Sequence, residues 1–292
     1  MIIIKLIGGL GNQMFQYAMG RAIAYQRKDI LKFDISNFSN DPLRKYSLSH
    51  FNIQESLATS KDLKKILNPL IREFPWTLTK RFYNFFPYYK RPLFLEQSFC
   101  YDKNVFRARS NVIFSGYWQS EKYFKQIEMI IRNDFTLKNK PDKLNNEISK
   151  IMQDTNSVSI HIRRGDYIAN PITFQYHGLC SMEYYKKAIQ YINENINRPI
   201  FFFFSDEIDW VKDNLKIPKD CYFIDHNKME NDYLDLWLMS QCKHNIIANS
   251  SFSWWGAWLN TNKEKIVIAP KKWFNNAAID TTDLIPEEWL II

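Results

Sequence analysis

Apolar runs separated by polar turns recur along this 292-residue chain, and their spacing predicts alternating strands and helices. Ile2 to Ile7 is a short apolar run ended by Gly8-Gly9, the pattern of a buried strand entering a turn. From Asn12 to Arg27, Met14, Tyr17, Ala18, Arg21, Ala22 and Tyr25 recur at steps of three and four, which predicts a helix. Residues 40–110 have no clear period and carry prolines at 42, 69, 75, 87 and 92, so helices and long connections are expected there. Val112 to Gly116 reads as a strand and Ser120 to Asn133 as a helix. The alternation then restarts. Val158 to Ile162, Ile200 to Phe204, Cys221 to Ile224, Asn245 to Ala248 and Ile266 to Ala269 have strand character. Between them Ser181 to Asn195, with a serine at its start, a segment opening at Trp210, Asp232 to Gln241 and Phe252 to Leu259 have helical character.

Strands alternating with helices at this spacing predict an α/β protein with parallel, doubly wound sheets. Two such runs, one at each end, suggest two Rossmann-like halves with a cleft between them. The expected boundary lies near NKPDKLNNE, residues 139–147, giving a domain of residues 1–145 and a domain of residues 146–292.

Composition narrows the class. Hydrophobic residues make up 46% and charged residues 24%, the balance of a globular chain rather than a disordered one. The four cysteines, Cys100, Cys180, Cys221 and Cys242, have no metal-finger spacing and suit a reducing compartment. MIIIKLIGG is too short an apolar stretch for a signal peptide, and no run reaches membrane-span length, so a cytoplasmic location is expected. The net charge of +8 is uneven: residues 1–150 hold 25 Lys and Arg against 13 Asp and Glu, so the second half is net acidic. Within residues 61–110, basic side chains interleave with Trp76, Phe82, Tyr83, Phe85, Phe86, Tyr88 and Tyr89. That composition fits a solvated rim first, an anionic membrane surface second and nucleic acid last.

Four segments carry candidate chemistry. HIRRGDY, His161 to Tyr167, ends a strand where open α/β sheets place ligands. Successive side chains of an extended chain point opposite ways, so at most one of Arg163 and Arg164 reaches a given phosphate; the plain alternative is a surface ion pair. GGLGNQ, residues 8–13, joins a strand to a helix. There Asn12 and Gln13 either cap the helix or hydrogen-bond a phosphate or sugar hydroxyl. In NSSFSWWGAWLN, Ser250 and Ser251 fall at a helix start, where hydroxyls and unpaired amides attract anions. Trp254, Trp255 and Trp258 in the same segment read as core rather than a substrate platform. The acidic residues of FFFFSDEIDW, Asp206, Glu207 and Asp209, suit either a divalent metal or helix capping, and capping is favoured because arginines already offer a way to neutralise a diphosphate. Three turns thus meet one need, holding a pyrophosphate.

These segments, in this order, resemble the bacterial α-1,2-fucosyltransferases: GGLGNQMFQYAMGRA, HIRRGDY, FFFFSDE and NSSFSWWGAWLN. The resemblance implies a GT-B-type fold, GDP-β-L-fucose as donor, inversion at the anomeric carbon and no metal or other cofactor. It implies that Arg163, helped by Arg164, holds the β-phosphate, and that His161 lies against the nucleotide. Asp235 would read the guanine N1–H and amino group; Ser250, Ser251 and Phe252 would line the diphosphate; Asn12 and Gln13 would face donor sugar and phosphate. The glutamate that serves as base in the related α-1,6 enzymes has no counterpart here, since Pro171 stands five residues past Asp166. Asp166 is the first candidate for the base and His177 the second. The implied acceptor is a galactose-terminated oligosaccharide or lipid-linked glycan of an O-antigen precursor. A lipid-linked acceptor would bring residues 61–110 to the inner membrane surface. No nucleic-acid partner is expected, although a basic-aromatic nucleic-acid or membrane-binding module is the non-enzymatic alternative.

Overall fold

The computed structural model describes residues 1–71, 86–165, 171–215, 219, 221–228 and 231–292. The chain divides into two compact units: Met1–Lys138 with Asp280–Leu284, and Asn139–Ile279 with Ile285–Ile292. The division falls at Asn139, the first residue of the 139–147 segment, and the helix Lys143–Asp154, capped by Asp142, lies wholly in the second unit. The short segment 280–284 belongs to the first unit: Asp283 accepts from the Tyr101 amide at 2.8 Å and pairs with Lys122.

The first unit is built on a four-stranded parallel sheet of order β2-β1-β4-β3, with β1 Ile2–Lys5, β2 Leu31–Asp34, β3 Leu93–Leu95 and β4 Val112–Ser115. Helix α1, Leu10–Arg27, buries Met14, Phe15, Tyr17, Ala18, Ala22 and Ile23, the face that the three- and four-residue steps predicted. Gly20 lets it settle on β1: a Cβ there would lie 2.5 Å from Ile4 Cγ1. Helix α2, Ser60–Ile71, falls in the region without a clear period. The helix expected over 120–133 is instead two 3₁₀ turns, Glu121–Tyr123 and Lys125–Ile127, followed by α3, Glu128–Asp134. Tyr123, Phe124 and Ile127 are buried there, and Phe124 leaves helical geometry (φ −130°) as its ring packs against Phe15. Tertiary packing overrides local periodicity.

The second unit carries a six-stranded sheet of order β10-β9-β8-β5-β6-β7, every pair parallel. Its strands are β5 Asn156–Ile162, β6 Pro199–Ser205, β7 Cys221–Ile224, β8 His244–Ile246, β9 Val267–Ala269 and β10 Leu290–Ile291. The described helices are α4 Lys143–Asp154, α5 Pro171–His177, α6 Met182–Asn195, α7 Ile208–Asn214, α8 Asp232–Gln241 and α9 Ser251–Leu259. Strand side chains alternate between two cores. Val158, Ile160 and Ile162 pack with Tyr184, Tyr185, Ala188 and Ile192 of α6, while Phe202 and Phe204 pack with Met152 of α4 and Leu238 and Met239 of α8. Trp254, Trp255 and Trp258 of α9 are fully or almost fully buried, so these rings are core as expected.

Strand order locates the site. From β5 the chain proceeds outward through β6 and β7, then crosses back to β8 on the other side of β5. The turns after β5 and β8 therefore leave adjacent strands in opposite directions. Such a switch point at the carboxyl edge is where doubly wound sheets bind ligands.

Candidate nucleotide-sugar site

Arg163 and Arg164 leave the end of β5 in opposite senses, as an extended chain requires. Arg163 pairs with Asp206 (Nη1 to Oδ2, 3.3 Å) and is 22% exposed, so its fork is braced yet still reachable from solvent. Arg164 turns to α7: its Nε donates to Glu207 Oε2 at 3.0 Å and its guanidinium lies 3.3 Å above the Trp210 ring centre. Arg164 is thereby committed as an anchor of the turn.

Asp206 and Glu207 are the residues that sequence reasoning placed wrongly. The capping expectation fails because the cap position of α7, Glu207, makes no side-chain cap hydrogen bond. These carboxylates instead serve the arginines. Asp206 Oδ1 accepts from the Arg164 amide at 3.0 Å, while its Oδ2 meets Arg163. Gly165 permits this approach, since a Cβ there would lie 2.9 Å from Asp206 Oδ2. The signal lay in strand order: β5 and β6 are neighbours in register, Ile162 opposite Ser205, so RRG and SDE must meet. Asp166 lies outside the described residues.

His161 occupies the last turn-ward position of β5 on the face opposite Ile160 and Ile162. It is almost fully buried, and its ring is tilted against Phe252 at 5.7 Å, which joins the end of β5 to the start of α9. Burial, reinforced by the Arg163 cation, pushes its imidazole down to about 3, so the ring is neutral near pH 7. Nδ1 has no hydrogen-bond partner among the described residues.

Ser250 is the N-cap of α9, its hydroxyl accepting from the Phe252 amide at 3.4 Å. The turn before it is fixed by Asn249, whose amide donates to the carbonyls of His177 and Trp273, both at 3.1 Å. Ser251 and Phe252 follow in the first turn of α9, where no acidic side chain competes for the positive end of the helix dipole. His177 ends α5 with its ring against Tyr176 (4.9 Å) and Phe274 (5.4 Å), and Asn249 ties its carbonyl to the same turn.

Asp235 lies in the first turn of α8. Asn227 Nδ2 donates to its Oδ1 at 2.8 Å, and Oδ2 accepts no hydrogen bond among the described residues. Burial, reinforced by Asp232 and Asp225, raises its carboxyl to about 7. Near neutrality this group is poised between charge states and gains from a ligand offering N–H donors.

Asn12 and Gln13 lie in the first unit, at the turn where β1 enters α1. Neither caps the helix, whose cap position is Gly9. Gly8 takes φ 78° directly under the Asn12 side chain, a conformation that favours glycine. Asn12 Oδ1 accepts from Gln119 Nε2 at 2.7 Å. Gln13 is fully buried, donating to the Gly8 and Lys45 carbonyls at 3.0 and 2.8 Å and accepting from the Ser47 amide at 2.9 Å. Its amide therefore clamps the 45–47 segment to the GGLGNQ turn. Among the described residues, no group of three or more His, Cys, Asp or Glu side chains is arranged to hold a metal ion.

The family model for glycosyl transferase family 11 matches residues 1–292. The chain is 39% identical over 306 residues to an alpha-1,2-colitosyltransferase of Escherichia coli, covering all of this chain and 98% of that protein. It is 36% identical over 309 residues to the O-antigen biosynthesis glycosyltransferase WbnK of Escherichia coli, covering 98% of each. Among solved structures, fucosyltransferase NodZ from Bradyrhizobium has a TM-score of 0.50 at 11% identity, over 87% of this chain and 91% of that one, a likeness of GT-B-type fold. With two parallel α/β sheets and a full-length match, the chain belongs to glycosyl transferase family 11, the fucosyltransferase-type family its motifs resemble.

Proposed function

We propose that the second unit binds GDP-β-L-fucose and that the protein transfers L-fucose, with inversion and without a metal ion, to the 2-hydroxyl of a terminal galactoside. The observation that carries the reading is the switch-point arrangement: Arg163, braced by Asp206, leaves β5 beside the strand whose following turn, capped by Ser250, opens α9. A guanidinium and a helix N-terminus together suit a diphosphate. Asp235, with one carboxylate oxygen open, suits the adjacent N1–H and amino donors of guanine. The neutral ring of His161, backed by Phe252, supplies an aromatic wall.

In the reaction, the acceptor oxygen bonds to the anomeric carbon as the bond from that carbon to the β-phosphate oxygen breaks, and GDP leaves. Arg163 and the first amides of α9 stabilise the charge growing on the leaving oxygens. Arg164 holds the turn after β5, and Gln13 clamps the GGLGNQ turn that carries Asn12. The hydroxyl proton is assigned to Asp166, with His177 as second candidate because Asn249 ties it to the Ser250 turn. A base adds roughly 10²–10⁴-fold, so Asp166→Asn and His177→Ala, measured for turnover and for GDP affinity, identify it.

The 39% identity to an alpha-1,2-colitosyltransferase favours one second reading, a colitosyl donor in place of the fucosyl donor. Incubation with GDP-fucose and GDP-colitose over a panel of galactosides, with and without chelator, tests both readings. A faster reaction with GDP-colitose would replace the donor assignment, and loss of activity with chelator would end the metal-free proposal. The relationship to WbnK supports an O-antigen precursor as acceptor. We further propose a cytoplasmic enzyme that touches anionic lipid through residues 61–110; no retention on anionic vesicles at low salt would end the lipid contact.

A further inference from the structure

Asp235 owes its one-sided hydrogen bonding to a directed chain of side chains. It starts at Asp142, whose carboxylate caps α4 by accepting from the Asn145 amide at 3.0 Å. Its second oxygen accepts from Asn145 Nδ2 at 2.6 Å, so the fully buried Asn145 must present its amide nitrogen to Asp142. Asn145 and Asn227 then form a reciprocal amide pair, each Nδ2 donating to the other's Oδ1 at 2.9 Å, and His226 Nε2 lies 3.1 Å from Asn145 Oδ1. With its oxygen taken, Asn227 has one N–H left, and this goes to Asp235 Oδ1 at 2.8 Å. Both hydrogens and the oxygen of each amide are used, so flipping either one would set two oxygens, or two N–H groups, face to face.

We propose that Asn227, oriented through Asn145 by Asp142, is a positioning residue that keeps Asp235 a carboxylate with one oxygen turned outward for the paired N–H donors of a guanine base. This rests on the reading of Asp235 given under Proposed function. Among the described residues Asp225 and Asp232 oppose its ionisation, Asp142 and His226 reach it through Asn145, and Tyr233 of α8 interacts with Asp142. Asn227 is the only one of its described neighbours that favours the charged form. The chain links three elements, α4, the turn after β7 and α8, so the base-reading carboxylate is set by residues remote from the nucleotide.

The test is isothermal titration of the full-length protein with GDP across pH, using Asp235→Asn as the baseline for titration of the nucleotide itself. Losing one hydrogen bond to a charged group corresponds to about one pH unit. Asn227→Ala is therefore expected to bind GDP about tenfold more weakly near pH 6 than wild type, with the difference shrinking towards pH 9. A purely structural role would weaken binding equally at every pH and would overturn the inference. Asp142→Asn retains a helix cap but no longer dictates the Asn145 orientation; the same upward displacement of the pH midpoint is expected, and it serves if Asn227→Ala does not fold. Unchanged GDP affinity in Asp235→Asn would sink the guanine reading itself. Weakened binding in Asp235→Asn with unmoved midpoints in Asn227→Ala or Asp142→Asn would sink only the positioning role.

Discussion

At Asp235 the withdrawal from water that raises the carboxyl to about 7 leaves the ligand-free protein with a pH-dependent cost. An unfolded aspartate titrates near its ordinary value of 3.8, so between there and about 7 the folded chain holds a proton the unfolded chain has lost. The contribution to stability therefore falls as pH rises through that window and is lowest above it. Asp235→Asn removes the cost: the ligand-free variant is expected to melt higher than wild type at about pH 8 and little differently near pH 4, while binding GDP more weakly. Thermal melts at both pH values check this. His161 works the other way. Its imidazole, pushed down to about 3 from 6.5, leaves the unfolded chain binding the extra proton in that interval, so its contribution is lost as pH falls below about 6.5. Arg163, Ser250 and Asp235 stand out in the sequence as candidates by residue type, because arginine, serine and aspartate have few ways to serve a nucleotide. Asp206 and Glu207 stood out as acids, but their pairing with the arginines did not, nor did Asn227, because pairing across strands and turns leaves no local pattern.

Among elements, the turn between β5 and the residues after Arg164 depends on a close backbone approach. Gly165→Ala would drive a methyl group onto the Asp206 carboxylate, displacing the group that braces Arg163 and holds the Arg164 amide. Turnover is expected to fall by about tenfold or more with a smaller loss of stability, measured as kcat and melting temperature on the same preparation. At the start of α9, Ser250→Ala removes the cap and should cost about 1 kcal/mol of stability by denaturant unfolding. A strand flanked by charge, Cys221–Ile224, and a strongly apolar helix, Asp232–Gln241, were legible to the residue. Residues 120–134 were not, since the rings of Tyr123 and Phe124 seek the core at the expense of a regular helix. Helix α4 also went unread, although Asp142 and the apolar Leu144, Ile148 and Ile151 carry its cap and its steps.

For the whole molecule, both sheets are parallel: GGLGNQ follows β1, which lies beside β4, and the arginines after β5 stand at the switch point beside β8. Parallel alternation in both units explains why the class of fold could be read from the order of strands and helices alone. Strand order could not be read that way, because it is decided by which apolar faces fit together. Binding confined to the folded state also links ligand to stability. GDP at about one hundred times its dissociation constant should add roughly 2.7 kcal/mol, and Arg163→Ala should lose most of that shift at the same GDP concentration. The most direct measurement of the central claim is the release of GDP and formation of fucosyl-galactoside from GDP-fucose, compared between wild type and Arg163→Ala. The account predicts a 2-linked product from the wild type and turnover lower by about 10²-fold or more in the variant. Equal turnover and equal GDP affinity in the two proteins would contradict it.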